Sequence, residues 1–215
     1  MQRSWRTDSD KLTFIVCEPR ERKPNQEPQQ HEIATMVGDV NLFILSNEEE
    51  TGDISLVGEI EVMIGRKENQ HRGLGHAIML VFLYYILTHK EQILGEYFKT
   101  SRGTAKRPDF TYLRAKIGGT NVRSIALFES LGFEKTEPSP DFFDEFELRN
   151  KALSTKRLQE MISERGVTGY TEGQYQEGEK AESPLGKIVE NTDTRSASSS
   201  GTDSLNSPAR NIGQG

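Results

Sequence analysis

One cysteine, Cys17, in 215 residues rules out a disulfide within the chain. At the end of the apolar run that opens at Leu12, we expect it as a small buried side chain rather than a nucleophile. Basic charge is also scarce: 27 Lys and Arg against 33 Asp and Glu leave a formal net charge of -6. The basic residues are scattered, so there is no field to hold a nucleic acid backbone and no nucleic acid partner is expected. No run is long and apolar enough to span a bilayer, and Met1-Gln2-Arg3-Ser4-Trp5 lacks the apolar stretch of a secretory signal. We expect no membrane partner and a cytoplasmic protein, the nucleus being left open. The histidines His31, His71, His76 and His89 show no metal-ligand spacing with Cys or carboxylates, so no metal is expected. Apolar residues make up only 33% of the chain, and most lie within residues 12–148, which places the core there.

That core region reads as alternating strands and helices. Residues 13–17 (TFIVC) form a β-branched and aromatic run that stops at Pro19, hence a strand, and the polar, Pro-rich stretch 18–32 reads as a loop. Residues 36–45 and 54–64 are two more apolar runs around an acidic turn, which predicts an antiparallel hairpin. Residues 76–87 (HAIMLVFLYYIL) are apolar on nearly every side, as a buried helix is, with Tyr84 and Tyr85 as core residues. A basic loop around residues 99–106 leads to a strand at 111–117. Residues 121–131 then read as an amphipathic helix with Asn121 as N-cap and Gly132 just past its end. Residues 142–148 (FFDEFEL) are expected as the last strand, pairing with residues 132–135. A short helix is expected over residues 151–165 and a disordered tail over 166–215, where Gly, Ser, Thr, Glu and Asn dominate and too little apolar surface exists to offset ordering.

Two segments carry chemistry. Gln70-His71-Arg72-Gly73-Leu74-Gly75-His76 stands between a strand and the buried helix. Glycines let the backbone approach a ligand, and the first N–H groups of a helix point at it with the positive end of the dipole. The segment suits a pyrophosphate, with Arg72 adding charge-assisted bonds; a plain tight turn before a helix is the competing reading. It is not a P-loop, because His76-Ala77 follow Gly75 where Lys-Ser/Thr is needed. It is not a dinucleotide fingerprint either, because Ile78 stands where a third Gly or Ala belongs.

Strand, then Gln/Arg-x-x-Gly-x-Gly/Ala, then helix resembles the acetyl-CoA signature of the GNAT acetyltransferase superfamily, matched here by Gln70, Gly73 and Gly75. Asn121-Val122-Arg123-Ser124, ending in Leu131-Gly132-Phe133, resembles its second signature. The wording MVGDVNLF at 36–43, GEIEVMI at 58–64 and AKIG at 115–118 is similar to the eukaryotic N-acetyltransferase 9-like proteins, themselves similar to bacterial acetyltransferases of ribosomal-protein N-termini. The resemblance covers about residues 1–148 and implies a GNAT fold: an α+β (α/β) domain over residues 1–150, its mixed, mostly antiparallel sheet flanked by helices. It also implies an acetyl-CoA-dependent transfer to a protein or peptide amine, N-terminal or lysine.

Residue by residue, the resemblance implies that Val62, Met63 and Ile64 bond the pantetheine arm and that residues 70–76 hold the pyrophosphate. Asn121, Ser124 and Phe128 would also bind the cofactor. Asn121 would bond the pantetheine amide or a water near the thioester, while its cap role is equally satisfied by the sequence. Glu59 and Glu61 alternate with Ile60 and Val62, so both point to the face opposite those apolar residues. Glu61 is the preferred base and Glu59 the second candidate; two solvated carboxylates are the plainer reading. Phe128 stands where many members place a tyrosine acid, so the leaving thiolate must draw its proton from water or another group. The family's leading strand and two helices have no counterpart before residue 12. An N-terminally truncated member is therefore expected, with a bare apolar sheet face and, as the alternative function, a non-catalytic acetyl-CoA- or protein-binding remnant.

Overall fold

The computed structural model describes residues 8–19, 21, 33–48, 54–100 and 108–173. In chain order these form β1 (Lys11–Cys17), β2 (Met36–Glu48), β3 (Ile54–Ile64), a single 3-10 turn (Lys67–Asn69), α1 (Leu74–Thr88), α2 (Lys90–Thr100), β4 (Phe110–Gly118), α3 (Val122–Ser130), β5 (Glu134–Lys135), β6 (Glu145–Asn150) and α4 (Thr155–Glu164). One six-stranded sheet runs β1-β2-β3-β4-β6-β5. Every neighbouring pair is antiparallel except β3 and β4, which run parallel. A parallel pair needs a crossover connection, and α1 with α2 supplies it.

The β3–β4 pairing decides where a ligand can enter. Register contacts join Leu56–Glu59 of β3 to residues 110–114 of β4 and end at Glu59↔Arg114. Beyond that point β3 stays paired with β2 as far as Ile64, and β4 stays paired with β6 as far as Gly118. The two central strands therefore part, and the facing edges of their last residues carry no ladder to each other.

One face of the sheet carries the core. Leu42, Leu56, Ile60, Leu113, Ala115 and Leu148 meet Met79, Leu80, Leu83 and Ile86 of α1, with Ile125 and Phe128 of α3 alongside. The all-round apolar sequence of α1 is explained by its position, because Tyr85 stacks edge-on against Phe14 of β1 at 5.0 Å and Gln159 of α4 donates to the Tyr84 hydroxyl at 3.1 Å. Among the described residues no single helix is long and apolar enough to cross a membrane.

Several expectations need correction. The core continues past residue 150: Leu158 and Met161 of α4 are buried, Ser154 caps that helix, and the Tyr170 ring packs edge-on to Tyr84 at 5.5 Å. The short helix expected over 151–165 is thus part of the domain, as are the first residues of the expected tail; from residue 174 onward that tail lies outside the described residues. Helix α2 was not expected at all, although Ile93, Leu94, Tyr97 and Phe98 have helical spacing and pack on the core. Phe142 and Phe143 are not in the last strand. They occupy the turn before it, 96% and 76% exposed, while β6 starts at Glu145. Asp141 causes this: its Oδ1 accepts from the N–H groups of Phe143 and Glu145 and its own N–H bonds the Glu145 carbonyl, so the chain reverses there. Cys17 is exposed, beyond an irregularity in the β1–β2 register, not buried. The bulk of the 18–32 and 99–106 loops, and the first seven residues, lie outside the described residues.

Candidate active site

The parted ends of β3 and β4 open into a cleft of about 570 Å³. Its β3 wall is Ile60, Glu61, Val62 and Met63; its β4 wall is Ala115 to Gly118; Asn121, Ser124 and Phe128 close it from α3. Lys11, Thr13, Asp39 and Asn41 of β1 and β2 extend the floor beside Glu61. The structure thus brings Glu61, Val62, Met63, Asn121, Ser124 and Phe128 together around one opening, from strands and a helix far apart in the chain. Ile64 lies outside the lining and leads into the turn, where its side chain approaches Gly75.

The turn before α1 is built from the end of β3. Gln70 is spent on structure: its side-chain amide donates to the Ile64 carbonyl at 3.0 Å and its own N–H bonds Lys67. Gly73 has φ 79, a left-handed conformation that an L side chain resists, so glycine is required there. Helical bonding starts with the N–H groups of His76 and Ala77, both donating to the Gly73 carbonyl. Among the described residues none accepts a hydrogen bond from the amides of His71, Arg72, Gly73, Leu74 or Gly75. His71, Arg72 and Gly73 are solvent-exposed. Five consecutive amides without an acceptor among the described residues thus stand at the positive end of a 15-residue helix, where backbone N–H groups favour an anion.

Around that cradle the structure adds groups that sequence spacing does not reveal. Arg72 is held by Glu18 at 2.9 Å and Asn69 at 3.1 Å, which anchors the turn to the end of β1. Arg123 of α3 places Nη1 2.7 Å from Nε2 of His71, itself at positive φ (63°), so the two signature segments touch. Behind the turn, Nε2 of His76 is buried with no partner among the described residues. Burial first, then the charge of Arg165 at the end of α4, holds His76 below its ordinary value of 6.5.

This lowering has a stability consequence of definite sign. On acidification the unfolded chain takes up the His76 proton before the folded chain does, so protonation favours unfolding. The contribution is intact above the unfolded value and is lost as pH falls below it towards the folded one. We expect wild-type protein to lose more stability than His76→Gln between about pH 7 and about pH 5. Urea midpoints at the two pH values measure it, and parallel losses in both proteins would refute it.

The two candidate carboxylates have different surroundings. Glu59 lies at the vertex of the opening, its Oε2 2.7 Å from Nε of Arg114, both side chains about 18–19% exposed. Glu59 does not line the cleft; Glu61 does. Glu61 is exposed along β3, yet its pKa is raised, first by partial burial of the carboxylate and then by the charges of Glu59 and Asp39, with Lys11 opposing. A carboxylate raised in this way holds a proton more readily at neutral pH than an ordinary one. Asn121 accepts from the Ser124 N–H at 3.2 Å and so does cap α3, while its side-chain N–H groups have no partner among the described residues. Phe128 is buried and stacks edge-on against Phe133 at 5.1 Å, so its ring is wall, not acid.

Gly38 of β2 was not singled out from the sequence. It pairs with Ile64, and a Cβ there would stand 1.8 Å from the Met63 carbonyl oxygen. The close approach of β2 and β3 beneath the cleft depends on it. Among the described residues no three His, Cys, Asp or Glu side chains converge as a metal site would need.

No protein-family model matches the chain. Curated relatives do. An N-acetyltransferase 9-like protein of Schizosaccharomyces pombe is 32% identical over 172 residues, covering 69% of this chain and 73% of the relative. The Homo sapiens alpha/beta-tubulin-N-acetyltransferase 9 is 38% identical over 149 residues, covering 69% of this chain and 59% of its own length. Among solved structures, Arabidopsis thaliana NAA60 in complex with acetyl-CoA is similar with a TM-score of 0.42 and 12% identity, over 66% of this chain and 76% of that one.

Proposed function

Because the chain belongs to the N-acetyltransferase 9-like family of GNAT acetyltransferases, we propose that it transfers an acetyl group from acetyl-CoA to the N-terminal α-amine of a protein. The observation that carries this is that one strand, β3, both forms a wall of the cleft with Glu61 and runs into a turn whose five amides have no acceptor among the described residues. Acetyl-CoA supplies an activated acyl group on a thioester. The protein's part is to hold and orient. The turn at His71–Gly75 suits the diphosphate, the unpaired edge of β3 suits an amide-bearing arm, and Asn121 offers a free side-chain amide at the end of the cleft.

An α-amine has a pKa of about 7.7–8.0, against about 10.4 for lysine. One carboxylate of raised pKa suits the first, because only a modest proton affinity has to be overcome. Glu61 takes the proton that the attacking amine sheds, directly or through water. The name of the human relative, a tubulin N-acetyltransferase, supports a protein acceptor. The exposed Phe142–Phe143 pair stands on a loop whose Asp144 carbonyl accepts from Gly119, next in the chain to the cleft residue Gly118, and offers an apolar surface to an acceptor chain.

The alternative of a non-catalytic remnant rests on an apolar sheet face. The face opposite α1 is mixed: Lys11, Thr13, Asp39, Asn41, Glu59, Glu61, Arg114, Lys116, Glu147 and Arg149 share it in register with Ile15, Phe43, Met63 and Tyr112, of which Ile15 and Met63 are exposed.

A melting experiment tests the binding half of the proposal. A ligand present at a hundred times its Kd adds about 2.7 kcal/mol, which for a domain of this size raises Tm by roughly 5–10 °C. Saturating acetyl-CoA is expected to do this; an unmoved Tm would sink the proposal. Mass spectrometry of an unblocked peptide incubated with the pair tests the transfer half, a gain of one acetyl group on the α-amine being the expected result.

A further inference from the structure

The sheet face opposite α1 holds a charged ladder that neither signature segment includes. Arg114 on β4 bonds Glu59 on β3 through Nε at 2.7 Å and reaches Glu147 on β6 through Nη1 at 3.3 Å. Glu147 also accepts from Nε of Arg149, and the Arg149 guanidinium lies over the Tyr112 ring at 4.4 Å. The side chains of Arg114, Glu59 and Glu147 are all only 18–19% exposed, so the network is shielded enough for its charges to matter. Its place in the register is specific: Glu59↔Arg114 is the last β3–β4 pair before the strands part.

We propose that Arg114 is a positioning residue for acetyl transfer, a clasp that, with Glu59, fixes the point at which β3 and β4 separate and keeps the Glu59 charge compensated two residues from Glu61. The proposal deepens the transferase reading and rests on it for the site it serves. Without the clasp the first open residues of β3, Ile60 and Glu61, lose their fixed distance from Ala115 and Lys116 across the cleft. Glu59 then also presents an unneutralised carboxylate to Glu61, whose other charged neighbours are Lys11 on β1, Asp39 on β2 and Lys116 on β4.

The two halves of the pair give opposite signatures. Arg114→Met leaves Glu59 uncompensated and raises the titration midpoint of Glu61, whereas Glu59→Gln removes a charge that raises it and lowers the midpoint. A merely structural loosening would wet Glu61 and lower the midpoint in both variants. The experiment follows the Glu61 carboxyl carbon by NMR titration of the full chain, with calorimetry of acetyl-CoA binding in the same samples. We expect opposite movements of the midpoint, and acetyl-CoA affinity lower on the order of tenfold or more in each variant, the size a small misplacement costs. The idea is overturned by midpoints that stay put or move together, and equally by unchanged affinity in both variants. Should wild type itself bind no acetyl-CoA, the transferase reading fails and the titration alone decides the role of Arg114. If Arg114→Met does not fold, the exchanged pair Glu59→Arg with Arg114→Glu replaces it; it is expected to fold and to bring the Glu61 midpoint below that of wild type, and a midpoint at or above wild type counts against the clasp.

Discussion

Glu61→Gln is expected to lower kcat for transfer to an α-amine by about 10²- to 10³-fold, within the range that loss of a positioned base costs, while acetyl-CoA binding stays near wild type. The amide keeps the size of the carboxylate and removes its capacity to take a proton. Glu61 alone of the two candidate carboxylates lines the cleft, whereas Glu59 is engaged by Arg114. Glu59→Gln removes no base and acts only by loosening the clasp, so its cost in kcat should be smaller than that of Glu61→Gln. Because the Glu61 pKa is raised, the acid limb of the wild-type pH profile should lie higher than an unperturbed glutamate would place it, activity rising with pH as Glu61 loses its proton. That limb should vanish in Glu61→Gln. A variant within twofold of wild type across the profile would remove Glu61 from the reaction and leave proton removal to water.

Gly38→Ala is expected to have the larger effect on the protein as a whole. Its Cβ would fall 1.8 Å from the Met63 carbonyl oxygen and 2.8 Å from the Met63 carbonyl carbon, and backbone cannot swing aside as a side-chain end can. Either β2 or the end of β3 must shift. Overpacking of this kind costs about 3 kcal/mol at the upper end of the usual range, or roughly 10 °C in Tm for a domain of this size. The displaced residues, Met63 and Ile64, lead directly into the turn, since the Ile64 carbonyl is the anchor for Gln70. Acetyl-CoA should therefore stabilise Gly38→Ala far less than wild type. A normal Tm with normal ligand-induced stabilisation would show that β2 and β3 adjust freely and that the close approach is not required.

What could be read in advance was local. The turn at Gln70–Gly75 announced itself through glycine spacing ahead of an apolar helix, and Asn121 through its place before an amphipathic stretch ending at Gly132. The alternation of Glu59 and Glu61 with Ile60 and Val62 placed both carboxylates on one face, as the register confirms. Helix α2 escaped because its opening follows α1 after a single residue, His89, and because Gly95 interrupts an otherwise periodic apolar stripe. Composition alone suggests a strand at Phe142 and Phe143, whereas the Asp141 side chain commits the backbone to a turn there. The boundary at residue 150 reflected declining apolar content, and α4 shows that a weakly apolar helix with Leu158 and Met161 on one side still completes a core.

The sequence by itself determined the family, the order of strands and helices around the two signatures, and the segments proposed to meet a diphosphate and an amine, because each depends on residues within a few positions of one another. The tertiary structure alone decided which carboxylate is open and which is clasped, where β3 and β4 part, and that Arg123 meets His71. Those outcomes join residues 52 and 55 positions apart in the chain. Charge pairing and close backbone approach are properties of distance in space, and only the sheet register converts chain position into that distance.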